Sequence, residues 1–202
     1  MDRARGRDER GGGLNHGHVL IVGGTGMLAG AASALAQTAR ALTLVSRRGW
    51  HGPALTHPDP ISDIRCDWSD AAAIATAFDR AAAQAGPFDL ALVWSHSASL
   101  AVNPAAAART GRAGAPGRFF HVLGSAVGDP SRPDRLDKAR ALANPPAHCL
   151  YRQIVLGFVI EGAGSRWLTN DEISQGTLQA IADDAPLFRI GTTEPWERRP
   201  RD

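Results

Sequence analysis

The sequence predicts one α/β domain built on a doubly wound parallel sheet, and three observations carry that prediction. From residue 18 onward, short apolar runs alternate with alanine-rich helical stretches, the pattern that consecutive βαβ units leave in a sequence. A glycine cluster, GGTG at 23–26, separates the first apolar run from the first helical stretch. The 202 residues, 44% of them hydrophobic, suffice for one sizeable core and are too few for two.

Taken in order, His18 to Val22 reads as a strand and Thr25 to Ala39 as a helix. Ala41 to Val45 is a second strand ending at SRRG, and Ile61 to Cys66 a short third. Ser69 or Asp70 can cap a helix through AAAIATAFDRAAAQ, which Gly86 and Pro87 stop. Phe88 to Trp94 is a strong fourth strand. Asn103 and Pro104 open a weak alanine-rich helix that breaks at GRAGAPG. Phe119 to Leu123 is a fifth strand, and Arg132 to Ala143 a helix closed by Asn144 and two prolines. Cys149 to Ile160 reads as one further β-type run. Thr169 and Glu172 form a capping box, and LFRIGTT holds a last short strand. Residues 1–16 bury almost nothing and are expected to be a mobile tail, 17–193 the domain, and 194–202 a polar tail.

The formal charge is +2 and the pI near 8.9, but the arginines concentrate at the two ends, which argues against a nucleic-acid partner. Lys138 is the one lysine among 22 basic residues. Cys66 and Cys149 have no metal-site spacing, so no metal is expected, and a reduced cytoplasm is. No apolar run approaches the roughly 20 residues of a membrane helix, so no membrane partner is expected either.

Glycines between a strand and a helix allow positive φ in the turn, and let a pyrophosphate approach the N–H groups at the helix start. Gly24, Gly26 and Ala29 fit GxGxx(G/A), while Gly23, Gly26 and Ala29 fit GxxGxx(G/A). A dinucleotide loop and a merely structural turn both satisfy that pattern. VLIVGGTGMLAG resembles the cofactor loop of the short-chain dehydrogenase/reductase superfamily, particularly its atypical and extended branches. The resemblance implies a Rossmann sheet holding NAD or NADP, with Gly23, Gly24, Thr25, Gly26, Met27 and Leu28 around the cofactor.

At the end of the second strand, where an acidic residue would accept from ribose hydroxyls, stand Ser46, Arg47 and Arg48. Guanidinium groups bind phosphate bidentately, which favours NADP(H) over NAD(H); the plainer reading is a solvated loop. Cys66, Asp67 and Trp68 resemble the family segment that contacts adenine, although Asp67 also suits a helix cap. Trp94, Ser95, His96 and Ser97 replace the family's Asn-Ala-Gly stretch, leaving Ser95 and His96 beside the ribose.

The resemblance also implies a Ser, Tyr and Lys catalytic arrangement, since hydride transfer needs an acid/base group beside the carbonyl. Ser125 stands at the Ser position. Tyr151 is the only tyrosine, but Val155 follows where the motif needs lysine, and DRLDK, with Asp134 four residues before Lys138, replaces YxxxK. Lys138 can reach a ribose or phosphate, or can remain solvated. Of the candidate acid/base histidines, His121 lies within a strand and reads as packed, while His96 follows a strand at the crevice edge. Beyond the sixth strand the family's Pro-Gly is replaced by GFVIEGAGSRWL. There Glu161 can line the crevice, and Arg166 with Trp167 can form a lid or oligomer contact, burial of Trp167 against the sheet being the plainer reading.

Two functions follow. One is an NADP(H)-dependent oxidoreductase moving hydride to or from a small carbonyl or alcohol substrate, with Ser125 and His96 as catalytic candidates. The other is a non-catalytic NADP(H)-binding sensor or regulator. A fold that has lost its cofactor is a third reading. The resemblance further implies a homodimer or homotetramer.

Overall fold

The computed structural model describes residues 16–50, 55, 61–97 and 100–201; of the expected tail at 1–16 only His16 is among them, its N–H donating to Thr38 O at 3.1 Å, and Asp202 lies outside them. Ten strands and five helices are present among these residues: β1 (His18–Val22), α1 (Ala29–Thr38), β2 (Ala41–Ser46), β3 (Ile61–Arg65), α2 (Ala71–Ala85), β4 (Leu90–Trp94), α3 (Val102–Ala108), β5 (Gly111–Arg112), β6 (Ala115–Leu123), α4 (Asp134–Ala143), β7 (Cys149–Leu156), β8 (Phe158–Glu161), β9 (Gly164–Trp167), α5 (Asn170–Asp183) and β10 (Leu187–Ile190). Short 3-10 turns occupy Ser125–Gly128 and Trp196–Arg198.

The main sheet runs in the order β3-β2-β1-β4-β6-β7-β10, and every neighbouring pair along it is parallel. β1 is wholly buried, and its alternation divides the core between the two faces. Val19 and Ile21 pack with Leu35 of α1 and Ile181 of α5. Leu20 and Val22 pack with Phe78 of α2 and Val102 of α3. Because Val22 is in register with both Val45 and Val93, and Trp94 with Val122, the residues that follow β1, β2, β4 and β6 emerge along one edge. Chain order reverses between β1 and β4, so a crevice opens there.

Local differences from the sequence reading have backbone causes. α1 starts at Ala29 rather than Thr25, because the glycine turn consumes the intervening residues. GRAGAPG is not only a break: Gly111 and Gly114 at positive φ turn β5 back antiparallel onto the start of β6. The run Cys149 to Ile160 divides at Gly157, whose N–H donates to Ile190 O at 2.9 Å. A Cβ at Gly157 would lie 2.2 Å from Thr192 O, so only glycine passes. β8 then leaves the sheet and pairs antiparallel with β9. Asp70, not Ser69, caps α2 by accepting from Ala73 N at 3.0 Å. The capping box of Thr169 and Glu172 is formed in both directions.

Residues 194–201 are tied to the β8–β9 hairpin. Arg198 donates to Gly162 O at 2.7 Å and to Gly164 O at 3.1 Å, and the Ser165 hydroxyl donates to Arg198 O. No helix among the described residues is long and apolar enough to cross a membrane.

Candidate functional site

The crevice is made first by backbone. Gly23 has φ +78° and donates to Val45 O at 3.0 Å, so the chain turns away immediately after β1. A Cβ there would meet Trp94 O at 2.6 Å, so dihedral and space both demand glycine. Gly24 is needed for packing, since its Cβ would lie 2.7 Å from Ile21 Cγ2. At Gly26 nothing lies within 4 Å of that position. Two glycines therefore serve the protein itself, and the third leaves an opening.

That opening faces the start of α1, whose N-cap Leu28 supplies no side-chain hydrogen bond and whose first turn has no acidic residue. The first N–H groups of this ten-residue helix and the positive end of its dipole suit an anion. Leu28 is fully buried, and Met27 O accepts from Ser174 Oγ at 3.0 Å. These two residues hold the loop with side chain and carbonyl turned to the protein.

A recess of about 260 Å³ is lined by Gly23, Thr25 and Gly26 on one side and by Ser46, Arg47 and Arg48 on the other. Trp68, Trp94 and His96 complete its wall. Arg47 holds its guanidinium carbon 5.5 Å above the Trp68 ring. Among the described residues, the buried Trp68 Nε1 and Ser46 Oγ have no hydrogen-bond partner. The His96 ring stands 6.5 Å from that of Trp68 and 6.0 Å, edge-on, from that of Trp94. An open glycine, an uncapped helix start, two arginines and two unpartnered polar atoms fit a phosphorylated nucleotide.

Neighbouring candidates are committed differently. Asp67 Oδ1 accepts from Ser69 N at 3.0 Å and from Ser69 Oγ at 2.8 Å. These bonds hold its carboxyl below the usual range. Asp67 and Cys66 line a separate recess with Arg47 and Arg65. Burial pushes the Cys66 thiol up. Ser95 is buried, its hydroxyl 3.0 Å from Ser97 O and 3.1 Å from Asn103 Oδ1. Asn103 is fully buried and donates from Nδ2 to Ser97 O at 3.1 Å, so it pins the loop that carries His96. Reading Asn103 as a helix opener missed this, and no local signal marks it.

No protein-family model and no curated protein matches the chain. Solved structures do. A short-chain type dehydrogenase/reductase from Mycobacterium ulcerans has 15% identity over 94% of this chain and 93% of that one, with a TM-score of 0.63. A short-chain dehydrogenase/reductase from Serratia marcescens has 18% identity over 88% and 97%, with a TM-score of 0.57. A short chain dehydrogenase from Burkholderia cenocepacia, determined in complex with NADP, has 16% identity over 88% and 89%, with a TM-score of 0.56. The chain has the short-chain dehydrogenase/reductase fold.

On this short-chain dehydrogenase/reductase fold the remaining candidates lie apart. Ser125 opens the 3-10 turn after β6 and lines a second recess, not the one holding the glycine loop. Between the two stands the indole of Trp94: a Cβ on Gly23 would lie 3.1 Å from its Cδ1, and one on Gly124 would lie 3.8 Å from its Cη2. Lys138 is exposed on α4, its ammonium 2.5 Å from Asp134 Oδ2, and it lines neither recess. Tyr151 is buried in β7, with His121 Nδ1 2.7 Å from its hydroxyl and the Phe119 ring stacked on it at 5.5 Å. His121 is packed, as its strand position suggests.

Two readings of the GFVIEGAGSRWL segment change. Glu161 does not line the crevice, because it accepts from Arg166 Nε at 2.7 Å within the β8–β9 hairpin. Trp167 is 37% exposed rather than buried on the sheet, because β9 has left the sheet and turns the indole to the second recess. Arg166 also donates to both carboxylate oxygens of Glu172, at 2.8 and 3.0 Å, tying the hairpin to the start of α5. Among the described residues no group of His, Cys, Asp or Glu is arranged to hold a metal ion.

Proposed function

We propose that the chain is a member of the short-chain dehydrogenase/reductase superfamily and an NADP(H)-dependent oxidoreductase that transfers hydride to or from a small carbonyl or alcohol substrate. The observation that carries this reading is one recess lined together by Gly26, with nothing within 4 Å of its Cβ position, and by Arg47 and Arg48. In it, the open turn at Gly24, Thr25 and Gly26 and the start of α1 hold the pyrophosphate, with Gly23, Met27 and Leu28 shaping the turn. Arg47 and Arg48 take the 2′-phosphate, with Ser46 beside them. Trp68 borders the adenine, with Asp67 and Cys66 beyond it in the adjoining recess that shares Arg47, while His96 borders the ribose and Ser95 holds the loop behind it. NADP(H), when bound, supplies the hydride. Ser125 steadies the substrate oxygen from the recess beyond Trp94, and the imidazole of His96, in the wall of the cofactor recess, is the acid/base candidate.

Calorimetry with NADPH and NADH tests the cofactor. NADPH is expected to bind at least about tenfold more tightly than NADH, with the difference lost in Arg47→Ala/Arg48→Ala and all binding lost in Gly26→Asp. Absence of NADPH binding to the wild-type chain removes the proposal. A carbonyl and alcohol panel, followed by nicotinamide absorbance, tests turnover.

A second reading, a non-catalytic NADP(H)-binding sensor, is favoured by the pairing of Asp134 with Lys138 where YxxxK is expected. It expects tight cofactor binding without turnover, and turnover dependent on Ser125 rules it out.

A further inference from the structure

The recess beyond β6 has a composition that the cofactor reading does not use. Its volume is about 480 Å³, and Ser125 lies at the sheet end of it. Three arginines, Arg135, Arg199 and Arg201, share it with a single carboxylate, Asp129. Asp129 is already engaged, its Oδ1 accepting from Ser131 Oγ at 2.7 Å and Ser131 N at 2.9 Å. Arg135 is anchored through a hydrogen bond to Ala126 O. Arg199 lies over the Trp196 ring at 4.9 Å. Among the described residues neither Arg199 nor Arg201 is in an ion pair. Asp129 stays ionised, with Arg135 and Arg199 among its charge partners. But among the described residues lining the recess three cations stand against this one carboxylate, and the excess positive charge in a concave site raises the potential for an anion. Trp167 and Trp196 add flat apolar faces to the same recess.

We propose that this recess binds the carboxylate of a planar, aromatic or conjugated substrate, with Arg199 and Arg201 on the carboxylate and the indoles of Trp167 and Trp196 against the flat body. Guanidinium forks match a carboxylate bidentately, and the contact with the Trp196 ring keeps the Arg199 guanidinium at the recess. The segment 194–201 is thereby a binding element: Arg198, tied to Gly162 and Gly164, fixes the chain between Trp196 and Arg201. As the substrate class of the enzyme this assignment rests on the oxidoreductase reading, whereas binding of the carboxylate does not.

Calorimetry on the full chain without cofactor tests it, with benzoylformate as the probe and its methyl ester as the neutral control. Benzoylformate is expected to bind saturably and at least about tenfold more tightly than the ester, with affinity falling as salt rises. Arg199→Gln/Arg201→Gln should lose at least about tenfold. Arg199→Lys/Arg201→Lys, which keeps the charge and loses the fork, should fall between the wild-type chain and the Gln variant, and Arg47→Ala should be unaffected. Equal binding of acid and ester, no benzoylformate binding by the wild-type chain, or an unchanged affinity in the Gln variant overturns the proposal. The same samples titrated with NADPH separate the two readings. Benzoylformate binding without NADPH binding removes the cofactor reading and leaves this one, and the reverse result does the opposite.

Discussion

The hydroxyl of Tyr151, the only tyrosine of the chain, lies 2.7 Å from Nδ1 of His121, with both side chains buried between adjacent parallel strands. Burial pushes the phenol up and holds the imidazolium down to about 4 from 6.5. The pair belongs to the core, and its consequence is for stability. The folded state favours neutral His121, so that contribution is complete above pH 6.5 and is lost as pH falls from 6.5 toward 4. His18, also lowered chiefly by burial, acts in the same direction. Denaturant titrations should therefore show stability dropping across this window, by about 3 kcal/mol for His121 alone. His121→Phe/Tyr151→Phe should flatten the slope; an unchanged slope contradicts the assignment.

The three loop glycines should separate stability from binding. Gly23→Ala combines positive φ with a contact to Trp94 O and is expected to cost about 2 kcal/mol or more. Gly26→Ala enters open space and should change stability by less than about 0.5 kcal/mol while weakening NADPH binding. Unfolding curves beside calorimetry of each variant check both halves.

Asn103 is the buried fastening of the loop at 95–97. Asn103→Ala leaves Ser97 O and the Ser95 hydroxyl without that partner, so a loss of about 1–3 kcal/mol is expected. NADPH affinity should fall with it, because His96 lies within the loosened segment and Trp94 precedes it, and both line the recess. Retained affinity with reduced stability would confine Asn103 to a structural role.

Lys138 offers a sharper contrast. Its ammonium is occupied by Asp134 on an exposed helix face, and exposed pairs of this spacing contribute little. Lys138→Met is expected to leave NADPH affinity and melting temperature unchanged, whereas Arg47→Ala lowers affinity. A comparable loss in both variants would place Lys138 at the cofactor.

The strand and helix order was legible because wholly buried parallel strands give continuous apolar runs, as HVLIV and LALVW do, between stretches of helical composition. Capping chemistry was equally legible, since Thr169 and Glu172 act within one helical turn. Gly157 was not, because what excludes a side chain there is the carbonyl of Thr192, distant in sequence. The pairing of Trp196, Arg199 and Arg201 with Ser125 was hidden for the same reason, since a segment with no periodicity shows nothing of the surface on which it folds.

By itself the sequence determined the doubly wound sheet, the glycine turn after β1 and the pair of arginines after β2, because periodicity and backbone permissiveness are local properties. Only the tertiary structure decided that Tyr151 is a core residue, that Trp94 separates the glycine loop from Ser125, and that the C-terminal arginines share Ser125's recess. Each of those depends on which strands become neighbours and where their ends align, and strand neighbourhood is set by packing across the whole sheet rather than by adjacent residues.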